Sequence, residues 1–333
     1  MLSRRAPAFW QRDSMASRCL LPLSALYRSI ARHRKAAYKT GRRPVIWPDA
    51  GVVVIGNITV GGTGKTPLVV WAARAALEMD LRPGVILRGY GGRFRGIKAV
   101  QPSDDPDEVG DEAVLIAQQT GLPVVVGADR AAAAEAIVAE HGVNLVISDD
   151  GLQHYRLGRD IEIAVIDAAR GFGNGRCLPA GPLREPVSRL AEVDAVMVNG
   201  EPANDSYGRF SLEPEEFREL TTDRPMEPVS RKVHAVAGIG HPQRFFNTLK
   251  AMGYEVVPHS LGDHHAFVAK DFAGLGDRPV VMTEKDAVKC RHLDLKNAYY
   301  LRVTARPDAG SEAAMRECLA AAMRRYQARK GRQ

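Results

Sequence analysis

Residues 51 to 66 read GVVVIGNITVGGTGKT, an apolar run that breaks into glycines and closes on Gly64-Lys65-Thr66. The run has the composition of a buried strand. The glycines let backbone N–H groups converge on phosphate oxygens, and a helix from Pro67 onward would point its positive end at the same place. This is the reading of a phosphate-binding loop built from Thr59, Val60, Gly61, Gly62, Thr63, Gly64, Lys65 and Thr66. Lys65 reaches the β- and γ-phosphates in such a loop, and the Thr66 hydroxyl sits on Mg²⁺. One position departs from the usual pattern: Thr59 stands where a glycine is expected five residues before Gly64.

Downstream, short apolar runs alternate with helical patterns. Val85 to Leu87, Val124 to Val126, Leu145 to Ile147, Ile163 to Ile166 and Ala195 to Val198 are expected strands, several of them without polar alternation, as when both faces are covered. Pro67 to Met79, Asp111 to Gln119 and Arg130 to Glu140 are expected helices, the last two stopped by Gly121 and Gly142. The sum is a mostly parallel α/β sheet with flanking helices, of the P-loop NTPase type. Ligands in such sheets collect at the carboxyl ends of the strands.

Three strand ends carry chemistry. Ser148-Asp149-Asp150-Gly151 places acids where a Walker-B carboxylate holds Mg²⁺. Arg88-Gly-Tyr-Gly-Gly-Arg93 is a basic, glycine-rich loop that could meet a phosphate or be a plain surface turn. The connection from Asp167 to Pro186 has neither helical nor strand period, and loops of that length are usually functional or disordered. It carries Arg184 and Glu185, and an arginine beside a phosphate loop neutralises charge on a transferred phosphoryl group. Asp111, opening a helix in VGDEA, is a candidate base for a hydroxyl acceptor, or else a dipole-complementing acid.

At 333 residues the chain has material for more than one domain. Residues 1 to 45 form a basic arm, 46 to 204 the phosphate-loop domain, 205 to 232 a polar, proline-bearing linker, 233 to 305 a second, smaller α/β domain, and 306 to 333 a C-terminal helix. The arm holds eleven arginines and lysines against Asp13 alone, so it carries +10 where the whole chain carries +7 and the remainder is left at −3. A nucleic-acid enzyme spreads its basic residues over the working surface, so no nucleic-acid partner is expected. Leu20, Leu21, Leu23, Leu26, Tyr27 and Ile30 interleave with those arginines at helical spacing, which suggests an interfacial element on an anionic membrane, with a targeting peptide as the rival reading. No run reaches the ~20 apolar residues of a spanning helix. Cys19, Cys177, Cys290 and Cys318 form no CxxC pair, as expected in a reducing compartment.

Water, a protein switch and a hydroxyl substrate all remain possible acceptors. The base-reading motif of GTPases has no counterpart, because Thr283-Glu284-Lys285-Asp286 has Lys and Asp adjacent. Partitioning ATPases carry an extra lysine early in the loop, where this chain has Val60 before the glycine pair. A kinase acting on a hydroxyl therefore leads, and a membrane-recruited nucleotide switch acting on a protein partner is the alternative.

GNITVGGTGKTP, RGYGG, VGDEA, SDDGLQH, LPAGPLREP, GDHHAF and TEKDAVK, in that order behind an arm containing LLPLSALY, resemble the tetraacyldisaccharide 4′-kinase family over residues 20 to 305. The resemblance implies transfer of the ATP γ-phosphate to the 4′-hydroxyl of tetraacyldisaccharide 1-phosphate, with Mg²⁺, peripherally at the cytoplasmic face of the bacterial inner membrane. It also implies a catalytic pair of Asp111 and His264, the histidine coming from the second domain. Asp149 and Asp150 match the acidic pair near Mg²⁺, and Arg184 and Glu185 a pair beside the phosphates. His265 follows His264, and the spacing from Asp263 decides between them.

Overall fold

The computed structural model describes residues 7–263 and 265–332. The basic arm forms two helices, α1 (Met15–Cys19) and α2 (Leu21–Lys39). The phosphate-loop region then runs β1 (Gly51–Gly56), α3 (Lys65–Glu78), β2 (Pro83–Leu87), β3 (Ile97–Ala99), α4 (Pro106–Val109), α5 (Asp111–Thr120), β4 (Val124–Gly127), α6 (Arg130–His141), β5 (Leu145–Asp149), β6 (Ile161–Asp167) and β7 (Ala195–Asn199). The remainder is β8 (Gly208–Glu219), β9 (Lys232–Ala237), α7 (Pro242–Ala251), β10 (Glu255–Ser260), β11 (Val280–Thr283), α8 (Glu284–Cys290), β12 (Ala298–Pro307) and α9 (Ala309–Lys330).

The twelve strands of the described residues join one sheet in the order β10-β9-β11-β12-β8-β7-β6-β1-β5-β2-β4-β3. Pairing from β7 through β4 is parallel, with β3 antiparallel on the edge. The strands β9, β10, β11 and β12 are also mutually parallel. The direction reverses between β8 and β12, whose long antiparallel ladder carries a register irregularity between Leu301 and Val303. The segment expected as a polar linker, 205 to 232, therefore contains a sheet strand. Its residues Phe210 and Phe217 are buried while Arg209, Ser211 and Glu213 are not, the alternation of a strand with one covered face. Charged residues on the open face hid that pattern.

Burial explains why β1 lies at the centre of its half. Val52, Val53, Val54 and Ile55 are all fully buried, with β5 on one side and β6 on the other. Side chains of this size contribute roughly 1.5–3 kcal/mol each on leaving water. Helices α3, α5 and α9 cover one face of this half, and α6 packs on the other. Gly121 and Gly142 end α5 and α6 in the left-handed conformation, as their positions predict. The final helix returns to the first half: Met315, Leu319 and Ala322 are buried, and Arg329 donates to the carbonyls of Pro48 and Ala50. The second half has its own apolar clusters around Phe245, Phe246 and Leu249 on one face and Phe267, Met282 and Tyr300 on the other.

Candidate active site

The loop between β1 and α3 is organised from beneath by a buried asparagine. Asn57 Nδ2 donates to the Gly61 carbonyl at 3.2 Å and lies 3.5 Å from both the Thr59 and Thr63 hydroxyls. Gly61 and Gly64 take positive φ angles of 102° and 83°, which only glycine adopts without strain. A Cβ on Gly64 would sit 2.6 Å from Asn199 Nδ2, and that amide donates to the Thr63 carbonyl at 3.4 Å. Thr59, the residue that breaks the usual glycine pattern, is buried and bridges Leu183 of the long connection. Its side chain has become part of the loop's foundation. Lys65 and Thr66 open α3, so the free N–H groups of the first turn face the loop.

At the end of β5, Asp149 and Asp150 separate into two environments. Asp150 has a φ of 51°, an uncommon conformation for a non-glycine residue and one that clusters at functional sites. Its carboxylate accepts two bonds from Arg184 Nη1, at 2.9 and 2.8 Å, and lies 3.4 Å from Lys65 Nζ. Burial pushes Asp150 up, but Lys65 and Arg184 outweigh it and hold the carboxyl down at about 2. Asp149 is buried, and burial followed by the neighbouring Glu112 carboxylate drives its pKa well above the ordinary range. Its Oδ1 has no hydrogen-bond partner among the described residues. A buried carboxylate oxygen with no donor, followed in the chain by a second acid, suits a hard divalent cation. Asp149, Asp150 and the Thr66 hydroxyl fit Mg²⁺.

Arg184 and Glu185 face different ways. Arg184 points to Asp150, whereas Glu185 is buried on Gln153, Tyr155 and Arg189. Gln153 links them, donating to Glu185 Oε2 at 2.9 Å and lying 3.4 Å from Arg184 Nη1 through its carbonyl oxygen. Glu185 thus reaches the phosphate loop through Gln153 and Arg184. The connection that carries them is ordered: Val60 N donates to the Pro182 carbonyl and Arg184 N to the Ile58 carbonyl.

Asp111 is buried at the start of α5, its Oδ1 accepting from the Glu112 amide at 2.8 Å. Gly110 before it has a φ of 96° and leaves no room for a Cβ, which would meet the Tyr90 carbonyl at 2.7 Å. The Arg88–Gly92 loop is thereby packed against the turn that precedes the acid. His264 lies outside the described residues. His265 Nε2 lies 2.9 Å from Asp271 Oδ2 and its ring is edge-on to Phe267.

Several residues at the site were not anticipated. Arg130 is buried at the start of α6. Burial, and after it the nearby Arg88, lower its pKa to about 10 against the opposing pull of Asp150 and Asp149. A cation at the positive end of a helix is the signal that marks it. Arg170 donates to the carbonyls of Val60 and Gly62, both at 3.1 Å, and so braces the outside of the phosphate loop. Arg244 on α7 reaches from the second half to Asn199 at 3.0 Å and Asp167 at 3.4 Å.

The profile of the Tetraacyldisaccharide-1-P 4′-kinase family matches residues 16–324. The chain belongs to that family. It is similar, at 50% identity over 96% of this chain and 97% of the relative, to the tetraacyldisaccharide 4′-kinase of Alkalilimnicola ehrlichii. The tetraacyldisaccharide 4′-kinase of Pseudomonas aeruginosa is 47% identical over 92% of this chain and 94% of its own length. The crystal structure of LpxK from Aquifex aeolicus in complex with ATP superposes with a TM-score of 0.77 at 26% identity, covering 92% of this chain and all of that one. The family's P-loop type of α/β fold is the fold expected from residues 51 to 66.

Proposed function

We infer that this member of the tetraacyldisaccharide 4′-kinase family transfers the γ-phosphate of ATP to the 4′-hydroxyl of tetraacyldisaccharide 1-phosphate, the product being the 1,4′-bisphosphorylated lipid of lipid A biosynthesis. The observation that carries the reading is the convergence of Lys65 and Arg184 on Asp150, beside buried Asp149 and the opening turn of α3. Lys65, Arg184 and the loop amides hold the triphosphate and stabilise charge on the moving phosphoryl group. Asp111 takes the proton of the 4′-hydroxyl as that oxygen bonds to the γ-phosphorus, and the bond to the bridging oxygen breaks to leave ADP. His264 of the second half orients or shares that proton. Glu185 holds Gln153, and through it Arg184. Asp149, Asp150 and Thr66 would hold Mg²⁺, which would supply positive charge to the triphosphate.

The acceptor is an amphiphile, and α2 supports a peripheral encounter with an anionic membrane. One face docks on the long connection through Ser24 Oγ to the Cys177 carbonyl at 2.8 Å and Tyr27 to the Arg184 carbonyl at 3.1 Å. Elsewhere on the helix Leu21, Leu23, Leu26 and Ile30 are exposed, as are Arg28 and Arg32, where a helix that merely covered the domain would bury its leucines. Among the described residues no helix is long and apolar enough to cross a membrane.

Purified protein given ATP, Mg²⁺ and the disaccharide 1-phosphate in detergent micelles is expected to form the bisphosphorylated lipid. Nucleotide-dependent capture of a protein with no lipid product would instead support a nucleotide switch.

A further inference from the structure

TEKDAVK, residues 283 to 289, is dense in charge yet has no part in holding the triphosphate. It forms α8 and the cap before it, seated between machinery from the two halves of the sheet. Toward the first half, Lys285 Nζ lies 3.0 Å from Glu112 Oε1 and 3.9 Å from Asp111 Oδ2. Burial works against the ammonium, but Glu112, then Asp111, and more distantly Asp263 keep it charged. Toward the second half, Asp286 is fully buried, accepts from the Gly238 amide at 2.9 Å and pairs with Lys289 at 2.9 Å. Lys289 in turn donates to the His265 carbonyl at 3.3 Å. A single helix of seven residues thus carries one ammonium on the acids of α5 and another on the backbone of the loop after β10.

Docking of α8 on α5 does not need the first of these. Glu284 already bridges the halves, accepting from Gln119 at 2.5 Å and from Arg302 at 3.1 Å. A buried ammonium costs desolvation that an apolar side chain of equal length avoids, so its presence is poorly explained by stability. What its charge reaches is the acid pair. Asp111 Oδ1 is engaged by the Glu112 amide, and Oδ2 is the oxygen on the Lys285 side.

We propose that Lys285 is a positioning residue for phosphoryl transfer, its ammonium holding Asp111 and Glu112 so that the Asp111 carboxylate is aligned with the acceptor hydroxyl. The proposal rests on Asp111 being the base. Lys285→Met keeps the length of the side chain and removes its charge. The expected result is a kcat about 100-fold lower, the size of effect a misaligned reacting group produces, with the KM for ATP and the melting temperature unchanged. Lys285→Arg should recover most of the lost rate. If Lys285→Met melts early, Lys285→Gln, which keeps a donor, replaces it with the same expected split.

A wild-type kcat in the neutral variant overturns the proposal. So does a fall in kcat that tracks a loss of melting temperature and is not recovered by arginine, since that is packing alone. Asp111→Asn, measured alongside, separates the two levels. Full turnover in that variant would remove Asp111 as the base, whereas an inactive Asp111→Asn with an active Lys285→Met removes only the role of Lys285.

Discussion

In the first half of the sheet, the groups around the phosphate loop sit at the carboxyl ends of neighbouring strands: Lys65 and Thr66 after β1, Arg88 after β2, Asp149 and Asp150 at the end of β5. They are held by backbone conformation, as the positive φ of Gly61, Gly64 and Asp150 shows. The second half reaches the same region through long side chains, Arg244 on Asn199 and Asp167, and Lys285 on Glu112 and Asp111. A site built on strand ends is stiff, whereas a contact made by the end of a long side chain can be released and remade. On the proposed function, triphosphate binding falls to the first half and alignment of the acceptor step to the joint between halves.

The largest effect expected from this contrast is at Lys65. Lys65→Met should lower kcat by about 1000-fold, the upper range for removing one preorganised group from a transition state, and a steady-state assay with saturating lipid checks it. The arm comes next. Replacing Leu23, Leu26 and Ile30 with serine removes exposed apolar area without touching the core, and sedimentation with anionic vesicles should show binding weakened by about 100-fold or more. Soluble short-chain acceptor should be phosphorylated at the normal rate by the same variant.

Arg244→Ala tests the joint away from Lys285. Its side chain is 44% exposed, so the contact with Asp167 is screened, and a loss of about tenfold in kcat/KM is expected with little change in melting temperature. The smallest effect is on stability. Asp149 has a folded pKa raised above its unfolded value, so its contribution is fully present below the unfolded pKa and is lost as pH rises through the folded one. At pH 8 without nucleotide or metal, Asp149→Asn should therefore melt higher than the parent by calorimetry, while losing activity. A lower melting temperature would mean that the carboxylate is stabilised by protein groups and has no need of a cation.

The first half was legible in sequence because its chemistry is contiguous. GNITVGGTGKT and SDDG each place strand, turn and functional side chain within a few residues, and the structure differs from the expected bounds of these elements by a residue or two. The glycine stops at Gly121 and Gly142 were equally local. Strand β8 was not legible, since its middle reads EPEE and its pairing with β12 spans a long stretch of chain. Arg170 was missed because it acts by bonding backbone carbonyls of a loop, and no spacing in sequence records that contact, whereas Arg130 left only the local sign of a cation in the first turn of α6. Glu185 lies beside Arg184 in the chain yet faces the opposite way, as successive residues of an extended segment do.

The most direct test of the account is single-turnover phosphoryl transfer to tetraacyldisaccharide 1-phosphate by Asp111→Asn, with ATP affinity measured on the same preparation. The account predicts a transfer rate lower by about 1000-fold and an ATP affinity equal to that of the parent, because the acid belongs to the acceptor step. Transfer at the parental rate, or a loss matched by an equal loss of ATP binding, would contradict it.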